Sequence, residues 1–311
     1  MEAKNKVRIY GCGGTGTNIL NMLMRQDTTG LAAFDPVFVD SSDSNIATGN
    51  NVYRINGMNG AGKDREVMMQ PARREATNIL VQHEPAEVNI LISSGGGATG
   101  AVVATTLAEE IWQQGKRVIF FVVGSNESLK TSENTSKHLR TLNGVARQHG
   151  HVSVVFYDNN GDNTRRKAVD ESMVQGLLAF LDLYSGNHDE LDTKDVENWL
   201  FLEKSAQLEP QLVLMDIDTS RENALERQYP ISVAIIHSKA DAGKGTIPAD
   251  YTTEGYRRDN NDTSLFFSIH TEGLNNIMSE LTDVIGGFKK RAVARQATAN
   301  QVFGGGSGWD L

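Results

Sequence analysis

Two glycine-rich loops, Gly11-Cys-Gly-Gly-Thr-Gly16 and Gly95-Gly-Gly-Ala-Thr-Gly100, each fall between a continuous apolar run and a segment with helical periodicity. A strand, a glycine loop and a helix in that order put a helix start at the carboxyl end of a strand. There the free N–H groups and the positive end of the helix dipole face outward, and glycines let an anion approach the backbone closely. Two such cradles on one sheet suggest a nucleotide polyphosphate. The runs Val7 to Tyr10, Val37 to Val39, Val88 to Ile92, Val118 to Val123 and Val152 to Tyr157 are continuous and rich in β-branched residues, as in strands buried on both faces. Helix-length segments separate them. The alternation predicts a doubly wound, parallel α/β sheet whose ligand crevice opens at the carboxyl ends of the strands, where both glycine loops lie.

A long amphipathic stretch from Lys167 to Tyr184 follows, then a polar loop, Ser185 to Leu191, which reads as a domain boundary. Beyond it, strands are predicted around Pro210 to Ile217, Ile231 to His237 and Ser264 to His270, with helices between them and a long last helix from Leu274. That half reads as α+β. The tail Gly304-Gly-Gly-Ser-Gly-Trp-Asp-Leu311 is flexible by composition. At 311 residues the chain can bury a large core and accommodates two domains. Its 39 acidic and 30 basic residues leave a net charge of −9 and no basic footprint, which argues against direct binding of nucleic acid. Apolar runs are strand-sized and no secretory segment is seen, so a cytoplasmic location and no membrane partner are expected. The single cysteine, Cys12, sits inside the first glycine loop, so neither an intrachain disulfide nor a thiolate metal cluster can form. It reads as a small loop residue.

Three nucleotide readings compete. Gly11 to Gly16 fits G-x-G-x-x-G, and Asp40 ends the second strand near where a dinucleotide fold places its ribose-binding acid, so an NAD(P)-dependent oxidoreductase is a competitor. It leaves the second glycine loop unexplained. Gly57-Met-Asn-Gly-Ala-Gly-Lys63 matches the P-loop pattern, but Asp64 stands where a Mg²⁺-binding hydroxyl belongs and no strong strand precedes it. The third reading uses both loops together.

Ser93-Ser-Gly-Gly-Gly-Ala-Thr-Gly-Ala101 resembles the G-G-G-T-G-[ST]-G signature of the tubulin and FtsZ superfamily, and Gly11 to Asn18 resembles that superfamily's first nucleotide loop. A nearer likeness, to the phage tubulins, runs through Gly57 to Arg65, Phe121 to Ser128 and Leu191 to Trp199. The resemblance implies a tubulin-like GTPase with GTP or GDP and Mg²⁺ as ligands. Residues 1–166 would form the GTP-binding domain, 167–190 the central helix and its loop, 191–303 a C-terminal activation and assembly domain, and 304–311 a flexible tail. Backbone N–H groups of Gly95, Gly96, Gly97, Thr99 and Gly100 would hold the β- and γ-phosphates, together with the Thr99 hydroxyl. Gly13, Gly14, Thr15 and Gly16 would contact the α- and β-phosphates, with Asn18 toward the sugar and base, and Thr15 is also a candidate helix cap. Gly60, Gly62 and Arg65 would sense the γ-phosphate, where a cation suits a dianion. Asn160 matches a nucleoside-contacting Asn. Asp170 stands where the superfamily usually has an Asn that reads guanine, and a carboxylate can still accept from guanine N1–H and N2–H₂. Asp40 or Asp43, with Asp43 the first choice, would position Mg²⁺ through water.

Leu191-Asp192-Thr-Lys-Asp195 resembles the N-L-D-x-x-D loop with which tubulin-type proteins complete a neighbour's active site, although Glu190 replaces the usual Asn. Alone, D-x-x-D reads as a helix N-cap with a first-turn acid. Beside two phosphate loops, Asp192 and Asp195 become the catalytic candidates, polarising a water or holding a cation near a γ-phosphate. A subunit with its cradle at one end and its acids at the other assembles head to tail, and such a heterologous contact propagates into a filament. The resemblance implies a homopolymer in the host bacterial cytoplasm that positions phage DNA or the phage replication compartment, with DNA-bearing or capsid cargo engaged only indirectly. A plasmid-partitioning tubulin homologue would share the chemistry.

Overall fold

The structure is a computed structural model and describes residues 6–44, 49, 51–159, 163–202, 208–227 and 229–303. Its frame is an 11-stranded sheet. Six parallel strands come first: β1 (Lys6–Cys12), β2 (Ala33–Asp40), β3 (Val52–Arg54), β4 (Val88–Ser94), β5 (Arg117–Val123) and β6 (Val152–Tyr157). They lie side by side in the order β3-β2-β1-β4-β5-β6. The chain thus winds outward from β1 in one direction and from β4 in the other. The crevice of such a sheet opens between those two strands, at their carboxyl ends.

The helices of this half are α1 (Gly13–Leu23), α2 (Arg65–Gln82), α3 (Thr99–Gln113), α4 (Leu129–His149) and α5 (Asn163–Leu183). Successive strand residues face opposite sides, so the continuous apolar runs feed two separate cores. Ile90, Ile92, Ile119 and Phe121 pack on one face with Ile19 and Leu20 of α1 and Met173, Leu177 and Phe180 of α5. Leu91, Phe120 and Val122 pack on the other with residues of α2, α3 and α4. All of the named strand residues are fully buried, and each contributes roughly 1.5–3 kcal/mol of hydrophobic stabilisation.

The rest of the chain extends the same sheet. β8 (Leu212–Asp218) pairs parallel with β6, and β11 (Leu265–His270) lies antiparallel to β8. β9 (Ser232–His237), β10 (Tyr251–Arg257) and β7 (His188–Asp189) complete it. β9 and β10 therefore run in the same direction as β1 to β6. The short α6 (Thr193–Phe201) is anchored by Trp199, fully buried and edge-on to Phe267 at 5.8 Å between ring centres. α7 (Arg221–Leu225) packs on β8 and β11, and α8 (Leu274–Phe303) lies along α4.

The five strands expected in the first half are all present, the long amphipathic stretch is α5, and the last helix starts at Leu274. β3, β7 and β10 were not expected. The tail 304–311 and Asn160 lie outside the described residues.

Candidate functional site

α1 and α3 both begin without a side-chain cap. Their N-cap residues are Cys12 and Ala98, neither of which can accept from the orphan N–H groups of the first turn. By contrast α2, α4, α6 and α7 are each capped by a side chain, from Asp64, Ser128, Asp192 and Ser220. These two uncapped starts both follow glycine loops, and both open into one cleft of about 640 Å³ at the β1/β4 crevice. An anion there would meet two helix dipoles and their free donors at once.

The loops are pressed together backbone to backbone. A Cβ on Gly13 would stand 2.7 Å from the Gly100 nitrogen, and one on Gly100 would stand 2.5 Å from the Cys12 oxygen. Gly16 faces away from the cleft, where a Cβ would come within 2.4 Å of the Ile92 oxygen. Of the residues named from the sequence, Gly13, Gly14, Thr15 and Asn18 line the cleft from the first loop. Gly96, Gly97, Thr99 and Gly100 line it from the second, and Gly60, Gly62 and Asp170 from elsewhere. Thr15 lies within the first turn of α1 and is not its cap. The Thr99 hydroxyl is 2.9 Å from that of Ser41.

Four expectations change. Gly95 donates its N–H to the Val123 carbonyl at 2.8 Å, extending the β4–β5 ladder, so that N–H is not free to bind phosphate. Arg65 does not line the cleft. It is half-buried at the start of α2, burial lowers its pKa, its Nη1 has no hydrogen-bond partner among the described residues, and its charge acts on His138. Asp43 is exposed and paired with Arg54 at 2.8 Å, whereas Asp40 is buried and lines the cleft. Finally, Gly60 spends its N–H on the Ser41 carbonyl at 3.0 Å, so it shapes the loop and does not donate to a ligand.

Asp40 Oδ1 accepts from the Ser41 N–H at 2.6 Å and the Ser42 N–H at 3.3 Å, which turns the carboxylate toward its own loop. Burial, and then the charge of Asp40, push the Cys12 thiol well above its ordinary range, so it stays protonated. Asp64 caps α2 through the Glu66 N–H, which explains an acid in the P-loop-like segment. Burial raises the pKa of Asp170.

Sequence reasoning assigned no role to a clasp between α5 and the loops that follow β5 and β6. Glu127 accepts from Arg166 Nε at 2.9 Å and Nη2 at 2.5 Å, and from Asn159 Nδ2 at 3.4 Å. All three line the cleft. Glu127 stands inside the segment Phe121 to Ser128 that carried the family resemblance, which was the available signal.

Asp192 and Asp195 are far from this cleft. Asp192 is exposed and caps α6, accepting from the Asp195 N–H at 2.9 Å, and Asp195 accepts from the Tyr251 hydroxyl at 3.4 Å. Tyr251 is the first residue of β10, and Arg117, the first residue of β5, stacks on Phe201 of α6 at 4.7 Å. α6 therefore lies at the amino end of β5, whose carboxyl end reaches the cleft, and of β10, which runs in the same direction. Glu190 holds a left-handed φ of 64°, a conformation that Asn adopts far more readily than Glu. Gly255 lets the loop cross, since a Cβ there would stand 2.6 Å from that of Leu191.

A family model described as phage tubulin-like protein, C-terminal domain, matches residues 191–271, which include this acidic loop. The phage tubulin-like protein of Pseudomonas phage PhiPA3 is 28% identical over 243 residues, 76% of this chain and 75% of that protein. The chain thus resembles, in sequence, the phage tubulins of the tubulin/FtsZ superfamily. The solved protofilament of TubZ from bacteriophage PhiKZ superposes on this tubulin-like chain with a TM-score of 0.84, at 24% identity, covering 93% of each chain. The phage tubulin PhuZ solved with GDP gives 0.83 at 23% identity, covering 93% of this chain and 92% of that one. The tubulin-like fold thus extends over both the cleft and the acidic loop.

Proposed function

We propose that the chain binds GTP in the glycine-loop cleft and hydrolyses it when the acidic loop of the next copy closes the site, so that it assembles head to tail into dynamic filaments. The observation that carries this reading is polarity. Two uncapped helix starts face one cleft at the carboxyl pole of the sheet, and a capped, acidic helix start lies at the amino pole. Stacking copies in one orientation apposes them, and the contact is heterologous, so it propagates. The related phage tubulins solved as a protofilament and with GDP support it.

In this reading the free N–H groups at the starts of α1 and α3 hold the phosphates, Asp170 reads the base, and Asp192 and Asp195 of the neighbour orient the attacking water. Phosphoryl transfer asks mainly for such positioning and charge complementarity. Among the described residues no cluster of three metal-ligating side chains occurs, so Mg²⁺ would be held chiefly by phosphate oxygens and water, with Asp40 as its protein carboxylate. Loss of the γ-phosphate would weaken the contact that both subunits share. The cellular role that follows from the family is positioning of phage DNA or the phage replication compartment within the host cytoplasm, with residues 1–166, 167–190 and 191–303 as nucleotide, connecting and assembly units. The dinucleotide alternative leaves the second uncapped helix start, that of α3, without a ligand.

The test is the GTP hydrolysis rate per subunit, with Mg²⁺, across a protein dilution series. A shared site predicts a sharp rise above a threshold concentration, with Asp195→Ala abolishing turnover while GTP binding persists. A rate per subunit that stays constant on dilution would overturn the shared site, and absence of GTP binding would overturn the nucleotide assignment.

A further inference from the structure

α4 buries an unusual set of polar side chains along its first turns: Thr131, Ser132, Asn134, Thr135, Ser136 and His138. Asn134, 2% exposed, does something the others do not. Its Nδ2 donates to the Lys63 carbonyl at 2.9 Å and to the Gly96 carbonyl at 3.1 Å. Two carbonyl oxygens can be served only by the NH₂ end of the amide, one proton to each, so the orientation is fixed by chemistry.

The two carbonyls belong to different walls of the cleft. Gly96 is in the second glycine loop, and Thr131 and Thr135, on the same face of α4 as Asn134, pack beneath it. A Cβ on Gly96 would stand 3.2 Å from Thr131 Cβ, and one on Gly95 would stand 3.4 Å from Thr135. Lys63 ends the facing loop, in a left-handed φ of 64° that a lysine adopts only under constraint, immediately before the Asp64 cap of α2.

We propose that Asn134 is a positioning residue that couples the loop 57–63 to the second glycine loop and thereby makes the site discriminate a nucleoside triphosphate from a diphosphate. The inference rests on the GTP reading above and deepens it. A diphosphate is held by the helix starts, which Asn134 does not touch. A third phosphate reaches toward Gly60 to Lys63, whose distance from Gly96 this one amide fixes. Removing it leaves the buried Gly96 carbonyl without this donor and removes the direct tie between Lys63 and the second glycine loop.

The test is equilibrium binding of GTP and of GDP, each as a fluorescent derivative, to the full chain and to Asn134→Ala and Asn134→Ser. Serine is a residue that α4 already buries at positions 132 and 136, and it keeps one donor. Asn134→Ala is expected to weaken GTP by about tenfold while GDP changes by less than about threefold, with the serine variant between the two. Equal weakening of both nucleotides in the serine variant, or no change in either, would overturn the proposal, because a residue that only supports the fold has no reason to tell them apart. If the unaltered chain binds neither nucleotide, the GTP reading itself fails, an outcome separate from a lost ratio.

Discussion

The two glycine loops look interchangeable in sequence and are built on different principles. In the first, Gly11, Gly13 and Gly16 are required by packing, since a Cβ on any of them would come within 2.4 to 2.7 Å of backbone atoms. That loop has no room to be anything but glycine. In the second, Gly100 has the same role against Cys12, but Gly97 has room for a methyl, its nearest neighbour being the Ser94 oxygen at 3.7 Å from a hypothetical Cβ. Gly95 rests on Thr135 of α4, and Gly96 on the side chains of Thr131 and Ser125. One loop is a fixed wall and the other is a surface resting on a polar helix. A glycine motif thus records two separate demands, close approach of chain to chain and open space for a ligand.

The severest way to break this contrast is Gly16→Ala. Its methyl would be driven against the Ile92 oxygen and the Gly11 carbonyl carbon, at 2.4 and 2.9 Å, and backbone cannot rotate away as a side chain can. Overpacking of this kind is expected to lower the unfolding free energy by about 3 kcal/mol, measured by urea denaturation. A variant of unchanged stability would mean that the first loop is not packed as described.

The polar helix beneath the second loop gives a pH-dependent signature. His138 is fully buried edge-on to Phe120, and neither ring nitrogen has a hydrogen-bond partner among the described residues. Burial, then the charge of Arg65, lowers its pKa from 6.5 to about 3. The unfolded chain therefore takes up a proton below 6.5 that the folded chain refuses, and the stability tied to neutral His138 is lost progressively as pH falls from there toward 3. Between 6.5 and about pH 5 the loss is about 2 kcal/mol. His138→Leu should remove that part of the slope in denaturation curves taken across this range. Parallel slopes in variant and wild type would show that the histidine is solvated and the helix less closely packed than it is drawn.

How much of this could be read from the sequence follows from where the apolar residues fall. β4 and β5 are runs such as Ile-Phe-Phe-Val-Val and were found at once, because a strand buried on both faces announces itself. β10 was missed because its inward positions are Thr253, Gly255 and Arg257. The last is buried only because Asp182 meets its Nη2 at 2.8 Å and the Thr263 carbonyl accepts from Nε. β3 and β7 are too short to carry a period. The glycine loops were legible as cradles, but the commitment of the Gly95 N–H to Val123, the turning of Arg65 away from the cleft and the Glu127–Arg166 clasp are tertiary pairings between distant residues. Asn134 was hidden in another way: a buried polar face of a helix has the same letters as a solvated one.

The mildest change separates the two demands on glycine most cleanly. Gly97→Ala meets no atom closer than 3.7 Å, so the fold should accept it, and restricting the unfolded chain would raise stability by up to about 0.5–1 kcal/mol. The same methyl projects at the wall of the cleft, between an anion and the N–H groups at the start of α3, and is expected to weaken GTP binding by about tenfold. Thermal unfolding without nucleotide and nucleotide titration, run on one preparation, read the two effects separately. Lower stability with intact binding would assign Gly97 to packing and make the two loops alike. Retained stability with weakened binding would show that the open glycine is kept for the ligand, which a phosphate cradle requires and a tight turn does not.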